Sequence, residues 1–235
     1  MDYSKQTISS KSEIKRFSHQ KRFIKALGLV KKLTPNSILD FGTGDGYFLV
    51  LLEQNLKTAR LVGYEPLDFM FEQLTTTVKQ HKLDGIEITD NLNTVDHKFD
   101  LVTCLEVMEH FSEDNQITHL KILKHLISTN GFVVISVPVE IGLSSLFKNL
   151  VRFKNKQLHN NSTFKNIIKS IFGFEVERSN DDYIYSHIGF NHKKLERLFN
   201  QCGFKIELKT FSPFPVFKGF INSQVFYVLK NKSLS

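Results

Sequence analysis

The sequence predicts an α/β fold in which a mostly parallel sheet carries helices on both faces. Three observations point there. From Ser37 to Val137 short apolar runs alternate with segments of helical periodicity, the pattern of successive strand-helix-strand units. The first apolar run enters a glycine loop, Asp40-Phe-Gly-Thr-Gly-Asp-Gly46, followed by a helical segment, and such corners bind nucleotide-like ligands in open α/β sheets. A chain of 235 residues, 41% hydrophobic and 23% charged, is long enough for one such domain with a sizeable core and excludes general disorder.

Residues 1 to about 12 are polar and aperiodic. From Glu13 to Leu33 the apolar positions Ile14, Phe17, Ile24, Leu27, Leu29 and Val30 predict one or two amphipathic helices, an N-terminal helical extension over 1–33 that Thr34-Pro35-Asn36 stops. Ser37 to Phe41 is then a buried strand and Tyr47 to Asn55 a helix. Arg60 to Tyr64 is the second strand, and Asp68 to His81 is helical. Gly85 to Thr89 and Phe99 to Cys104 are the third and fourth strands. Ser112 is the expected N-cap of a helix reaching Leu126, because acids follow it in the first turn, and Asn130-Gly131 is its expected stop. Phe132 to Val137 is the fifth strand.

After Val139 the alternation breaks. Residues 141–186 are expected to form a basic helical insertion, a lid over the acceptor site, with apolar residues at helical spacing between lysines and arginines. Asn191 to Gln201 resumes as a helix ended by Gly203, and Lys205 to Phe211 and Gln224 to Leu229 complete the strands of one domain spanning 1–235.

The overall charge of +7 is local in origin. Met1 to Leu33 holds nine cations against two acids, and Ile141 to Ser170 holds six against none, so these segments carry +13 and the remainder −6. Localised positive charge points to an acidic substrate, a membrane face or nucleic acid. Cys104 and Cys202 are far apart with no metal or redox spacing, and are read as reduced structural residues. No apolar run approaches a membrane span and the start lacks a signal-peptide core, so a cytoplasmic protein, with peripheral membrane contact through 141–170, is expected.

The glycine loop departs from the dinucleotide fingerprint Gly-x-Gly-x-x-Gly, in which a third glycine stands three positions after the second; Tyr47 stands at that place. The pattern Asp-x-Gly-x-Gly-x-Gly instead resembles motif I of class I S-adenosylmethionine-dependent methyltransferases. The resemblance implies a Rossmann-like, seven-stranded sheet whose last strand is antiparallel, with S-adenosylmethionine as cofactor. It places Asp40, Gly42, Thr43 and Gly44 at the cofactor. Glu65, some twenty residues on at the end of the second strand, is implied to accept both ribose hydroxyls, and Asp90 to contact adenine. The backbone around Cys104 and Leu105 is implied to touch the methionine end.

Glu106, Glu109 and His110 stand three and four residues apart, a spacing that puts Glu106 on one helical face with both others. Two carboxylates and an imidazole there can ligate a divalent metal. Glu-x-x-Glu-His and the run Tyr185-Ser-His-Ile-Gly-Phe190 resemble small-RNA 3′-terminal 2′-O-methyltransferases, and ubiquinone-pathway O-methyltransferases are similar in the same places. That resemblance implies His187 as a fourth ligand beside Glu106, Glu109 and His110. The alternative is a helix N-terminus satisfied by acids, with a pocket histidine acting alone.

An alcohol acceptor must lose a proton, for which His110 and His187 are the catalytic candidates. No Asn-Pro-Pro-Tyr type motif follows the fourth strand, which argues against methylation of base amino groups and for oxygen. The expected function is O-methylation of a small or lipid-linked metabolite, such as a quinone precursor or glycan intermediate. The alternatives are RNA 2′-O-methylation and a cofactor-binding regulatory protein that transfers nothing.

Overall fold

The computed structural model describes residues 13–56, 59–140, 184, 190–217 and 222–232. Its elements run α1 (Glu13–Leu33), β1 (Ser37–Phe41), α2 (Tyr47–Asn55), β2 (Arg60–Tyr64), α3 (Asp68–Gln80), β3 (Ile86–Thr89), β4 (Phe99–Leu105), α4 (Glu113–Leu126), β5 (Ile127–Pro138), α5 (His192–Gln201), β6 (Phe204–Ser212) and β7 (Gln224–Asn231). The seven strands form one sheet in the order β3-β2-β1-β4-β5-β7-β6. Strands β1 to β5 are parallel, and β7 runs antiparallel to both β5 and β6. This is the Rossmann-like sheet expected from the sequence. The insertion expected at 141–186 and the candidate His187 fall on residues 141–183 and 185–189, outside the described residues.

Strand alternation divides the core in two. Leu39, Val62, Val102, Val133 and Ile135 point to one face, where they pack with Leu120 and Leu123 of α4 and Leu195 and Phe199 of α5. Ile38, Leu61, Leu101 and Val134 point to the other, against Ala26 and Val30 of α1, Leu49 and Leu52 of α2 and Leu74 of α3. Each such leucine or isoleucine contributes about 1.5–3 kcal/mol by leaving water.

Helix α1 is continuous rather than two helices. At the far end of the series, Ser112 accepts the Asn115 N–H at 3.4 Å and caps α4 as its sequence signalled. Asn130-Gly131, however, does not stop that helix. Helix α4 ends at Leu126 because Ile127 is already extended, and β5 begins there, so the dipeptide lies inside the strand. Phe99 pairs with Ile127 whereas Leu101 pairs with Phe132, so three extra residues bulge out between those pairs. A Cβ on Gly131 would stand 2.8 Å from the Phe99 carbonyl oxygen, which is why glycine is needed at the bulge. Among the described residues no helix is long and apolar enough to cross a membrane.

Candidate functional site

The sheet order reverses direction at β1, whose neighbours are β2 and β4, and the carboxyl ends of these three strands frame a crevice of the kind that holds ligands in open α/β sheets. The glycine loop sits there. Gly42 and Thr43 donate their backbone N–H groups to the Tyr64 carbonyl at 2.8 and 3.0 Å, tying the loop to β2. Gly42, Gly44 and Gly46 have φ of 71°, 61° and 80°, the left-handed region that only glycine occupies cheaply. Their surroundings differ. A Cβ would come within 2.6 Å of Val107 at Gly42 and within 2.6 Å of Leu74 at Gly46, but at Gly44 its nearest neighbour is the Met70 sulfur at 4.0 Å. Gly42 and Gly46 therefore serve close packing, while Gly44 leaves room for a ligand to approach the backbone.

Asp40 lies beneath the loop, 3% exposed. Its carboxylate accepts hydrogen bonds from the Thr43 hydroxyl and from the Thr103 hydroxyl of β4, both at 2.6 Å. Burial pushes its pKa up to about 6, against the opposing effect of the two hydroxyls. Asp40 and the Thr43 side chain thus brace the loop from below. Thr103 was not singled out in the sequence; its signal is a hydroxyl within the apolar stretch Leu101 to Leu105 of β4.

Glu65 follows β2 and is buried. Its two carboxylate oxygens accept the Gly44 N–H at 2.8 Å and the Leu67 N–H at 3.1 Å, which sets the acid against the loop's open glycine. Burial raises its pKa, the two backbone donors lower it, and the Asp40 charge adds to the rise. Asp90 is exposed just beyond β3, and its charge, with that of Glu65, adds to the effect of burial in raising the Tyr64 pKa. Leu105 is half-buried at the end of β4, beside Ser136 of β5.

The segment after Leu105 is not the helix that the spacing of its acids implied. Glu106 has φ 58°, Val107 is helical, Met108–His110 is a single 3-10 turn and Phe111 is extended. A left-handed non-glycine residue beside a ligand crevice is a strained conformation held by its contacts. Glu106 turns back into the sheet, accepting the Ser136 hydroxyl at 3.0 Å and lying 3.7 Å from the Arg22 guanidinium of α1. Glu109 is fully buried and raises the pKa of the already desolvated Cys104 thiol. His110 is half-buried with Nδ1 2.9 Å from the Ile184 carbonyl, and its backbone carbonyl accepts the Ile184 N–H at 2.8 Å. Glu106, Glu109 and His110 thus share the carboxyl edge without sharing an α-helical face. Among the described residues no group of three or more His, Cys, Asp or Glu side chains is arranged to hold a metal.

A family model described as a methyltransferase domain matches residues 14–209, a span that includes every residue placed above. The chain belongs to this methyltransferase family. Its solved neighbours agree in fold. A S-adenosylmethionine-dependent methyltransferase from Clostridium acetobutylicum superposes with a TM-score of 0.64 at 12% identity, covering 98% of this chain and 96% of that one. The methyltransferase domain of bacterial CtHen1 gives 0.61 at 16% identity, covering 90% and 98%. Magnesium protoporphyrin IX methyltransferase from Synechocystis PCC 6803, with bound SAH, gives 0.62 at 13% identity, covering 94% and 88%. No curated protein matches the sequence significantly.

The residues of this methyltransferase fit S-adenosylmethionine. Gly44 leaves its backbone open to a ligand, and the Glu65 carboxylate beside it is an acceptor of the kind that ribose hydroxyls would need.

Proposed function

We propose that this methyltransferase transfers a methyl group to an oxygen of a small or lipid-linked metabolite. One observation supports oxygen chemistry most directly. The Ile184 carbonyl can only accept, so His110 Nδ1 carries the proton of their 2.9 Å contact and the basic lone pair lies on Nε2. That tautomer suits a general base for a hydroxyl. When bound, S-adenosylmethionine supplies a sulfonium methyl that needs no further activation. The protein's part is to hold the acceptor in line and receive its proton. Glu65 holds the adenosine end, and the strained turn at Glu106 fixes the backbone near the reacting carbon.

A second reading, RNA 2′-O-methylation assisted by a divalent metal, rests on the resemblance of Glu106, Glu109, His110 and His187 to the small-RNA enzymes. The two separate on one experiment. Isotope-labelled methyl groups from S-adenosylmethionine are offered with the protein to a fractionated cell extract. Label in lipid or small-molecule fractions that survives a chelator supports the first reading. Label in RNA that a chelator abolishes supports the second, and its absence from every fraction would overturn both.

A further inference from the structure

Beside the cofactor crevice, a groove of about 250 Å³ runs between α1 and the chain that leaves β6. One stripe of α1 forms its wall at helical spacing, with Lys21, Lys25 and Lys32 interleaved with Ile24 and Gly28. Phe211 and Pro213 form the opposite wall. Strand β6 runs antiparallel to β7, and β7 antiparallel to β5, so β6 points the same way as the parallel strands. Its last residues therefore lie at the carboxyl edge, on the side where the methyltransferase receives its ligands.

Two features set this groove apart from an ordinary seam between helix and sheet. Gly28 weakens a helix interior relative to alanine, yet a Cβ there would meet nothing within 4 Å. The protein's own packing does not require glycine at that position, and the space above it is part of the groove. Apolar side chains, moreover, stand exposed in and next to the groove: Ile24 of its wall is 61% exposed, and just past Pro213 Phe214 is 46% and Val216 87% exposed. Partial burial, and then the neighbouring charge of Lys32, lowers the pKa of the Lys25 ammonium, the condition that an anion between these lysines would relieve.

We propose that this groove docks the methyltransferase on an anionic membrane surface, seating a lipid phosphate between Lys25 and Lys32 while Ile24 and Val216 enter the acyl boundary. Cations flanking exposed apolar side chains are the combination that interfacial binding requires. A lysine stem lies along apolar surface while its ammonium reaches the headgroups.

The test is sedimentation of the full chain with vesicles of phosphatidylcholine, with and without phosphatidylglycerol. Binding to the anionic vesicles is expected, weakening with salt. A Lys25→Gln, Lys32→Gln variant should partition roughly 25-fold less, from about fivefold per charge. Gly28→Glu, a helix-favouring change that carries the wrong charge into the groove, should lose at least tenfold while keeping wild-type affinity for S-adenosylhomocysteine. Val216→Glu, at a side chain standing in solvent, should weaken binding even if the helix variants fail to fold. No sedimentation of wild type, equal binding to neutral vesicles, or unchanged binding in these variants would overturn the proposal. The last result, with binding lost instead in Lys148→Gln, Arg152→Gln, Lys156→Gln, would move the contact to the basic segment 141–170.

Discussion

The Thr103 hydroxyl of β4 meets the Asp40 carboxylate of β1 at 2.6 Å, fully out of solvent, directly beneath the glycine loop. With Thr43 on its other oxygen, Asp40 links β1, β4 and the glycine loop that follows β1. The arrangement has a cost in charge. Its pKa rises from 3.8 to about 6, so between those pH values the folded protein holds a proton that the unfolded chain has released. A raised carboxyl pKa contributes stability that is fully present below pH 3.8 and is lost as pH rises through about 6, ~3 kcal/mol in all. Asp40→Asn, which keeps an acceptor for one threonine and can donate to the other, removes that pH-dependent contribution. In urea titrations the variant should gain on wild type by ~2–3 kcal/mol between pH 4 and pH 7.5. Parallel curves over that range would show that Asp40 titrates normally.

The loop glycines should separate packing from ligand binding. Gly46→Ala drives a Cβ to 2.6 Å from Leu74, in addition to the left-handed backbone, and should cost stability of ~2–3 kcal/mol. Gly44→Ala meets no such neighbour and should cost only ~1–2 kcal/mol of backbone strain. Its cofactor affinity should nonetheless fall at least tenfold, because the new methyl occupies the ligand's side of the loop. Calorimetric titration with S-adenosylhomocysteine, beside thermal melts, decides it. Wild-type affinity in Gly44→Ala would place the cofactor elsewhere.

Glu65 is held by backbone donors on both sides, Gly44 and Leu67, so its role in the loop and its role toward ribose are separable. Glu65→Gln retains one carbonyl acceptor but turns an amide donor toward the other N–H. We expect a loss of ~1–2 kcal/mol in stability and a weakening of S-adenosylhomocysteine binding by roughly 10- to 100-fold, consistent with loss of a charged acceptor to ligand hydroxyls. Adenine alone, which lacks ribose, should bind wild type and variant equally. A variant that weakened both ligands equally would make Glu65 a loop brace only.

How much of this was legible depended on whether a residue's role was local. The strand, glycine loop and following helix were readable because Asp40, Gly42, Gly44 and Gly46 fall within seven residues and the three glycines are demanded by positive φ. Glu65 was readable from its spacing to them. The turn at Glu106 was not, because spacings of three and four fit an α-helix equally well, and φ of 58° at a glutamate is imposed by Ser136 and Arg22, which are remote in sequence. Asn130-Gly131 misled for a similar reason. A turn dipeptide looks the same whether it ends a helix or bulges a strand, and the Phe99 carbonyl that requires the glycine lies 32 residues earlier.

The ion pair of Arg22 with Glu106 fastens α1 to the end of β4, with both side chains mostly withdrawn from solvent. Arg22→Met keeps much of the apolar stem but removes the counter-charge. Breaking one side of a partly buried pair should destabilise by ~2 kcal/mol, below the 3–5 kcal/mol typical of fully buried pairs. Adding Glu106→Gln to Arg22→Met should restore part of the loss, which a double-mutant cycle in urea measures. Purely additive effects would mean that the pair contributes nothing beyond its separate contacts.

His110 carries the proposed chemistry and gives the sharpest separation of binding from reaction. Its Nδ1–H is directed at the Ile184 carbonyl, so in the proposed chemistry Nε2 is the nitrogen that would receive the acceptor's proton. His110→Gln can reproduce the donor to Ile184 through its amide but offers no basic nitrogen. The methyl-transfer rate into the extract fraction that wild type labels should therefore fall by about 10²–10⁴, the range that general-base catalysis supplies. S-adenosylhomocysteine affinity should stay within about threefold of wild type, since the proposal places that ligand on Glu65 and the glycine loop rather than on His110. A rate within tenfold of wild type would remove His110 as the base. Equal losses in rate and in cofactor affinity would instead make it a residue that positions the turn after β4.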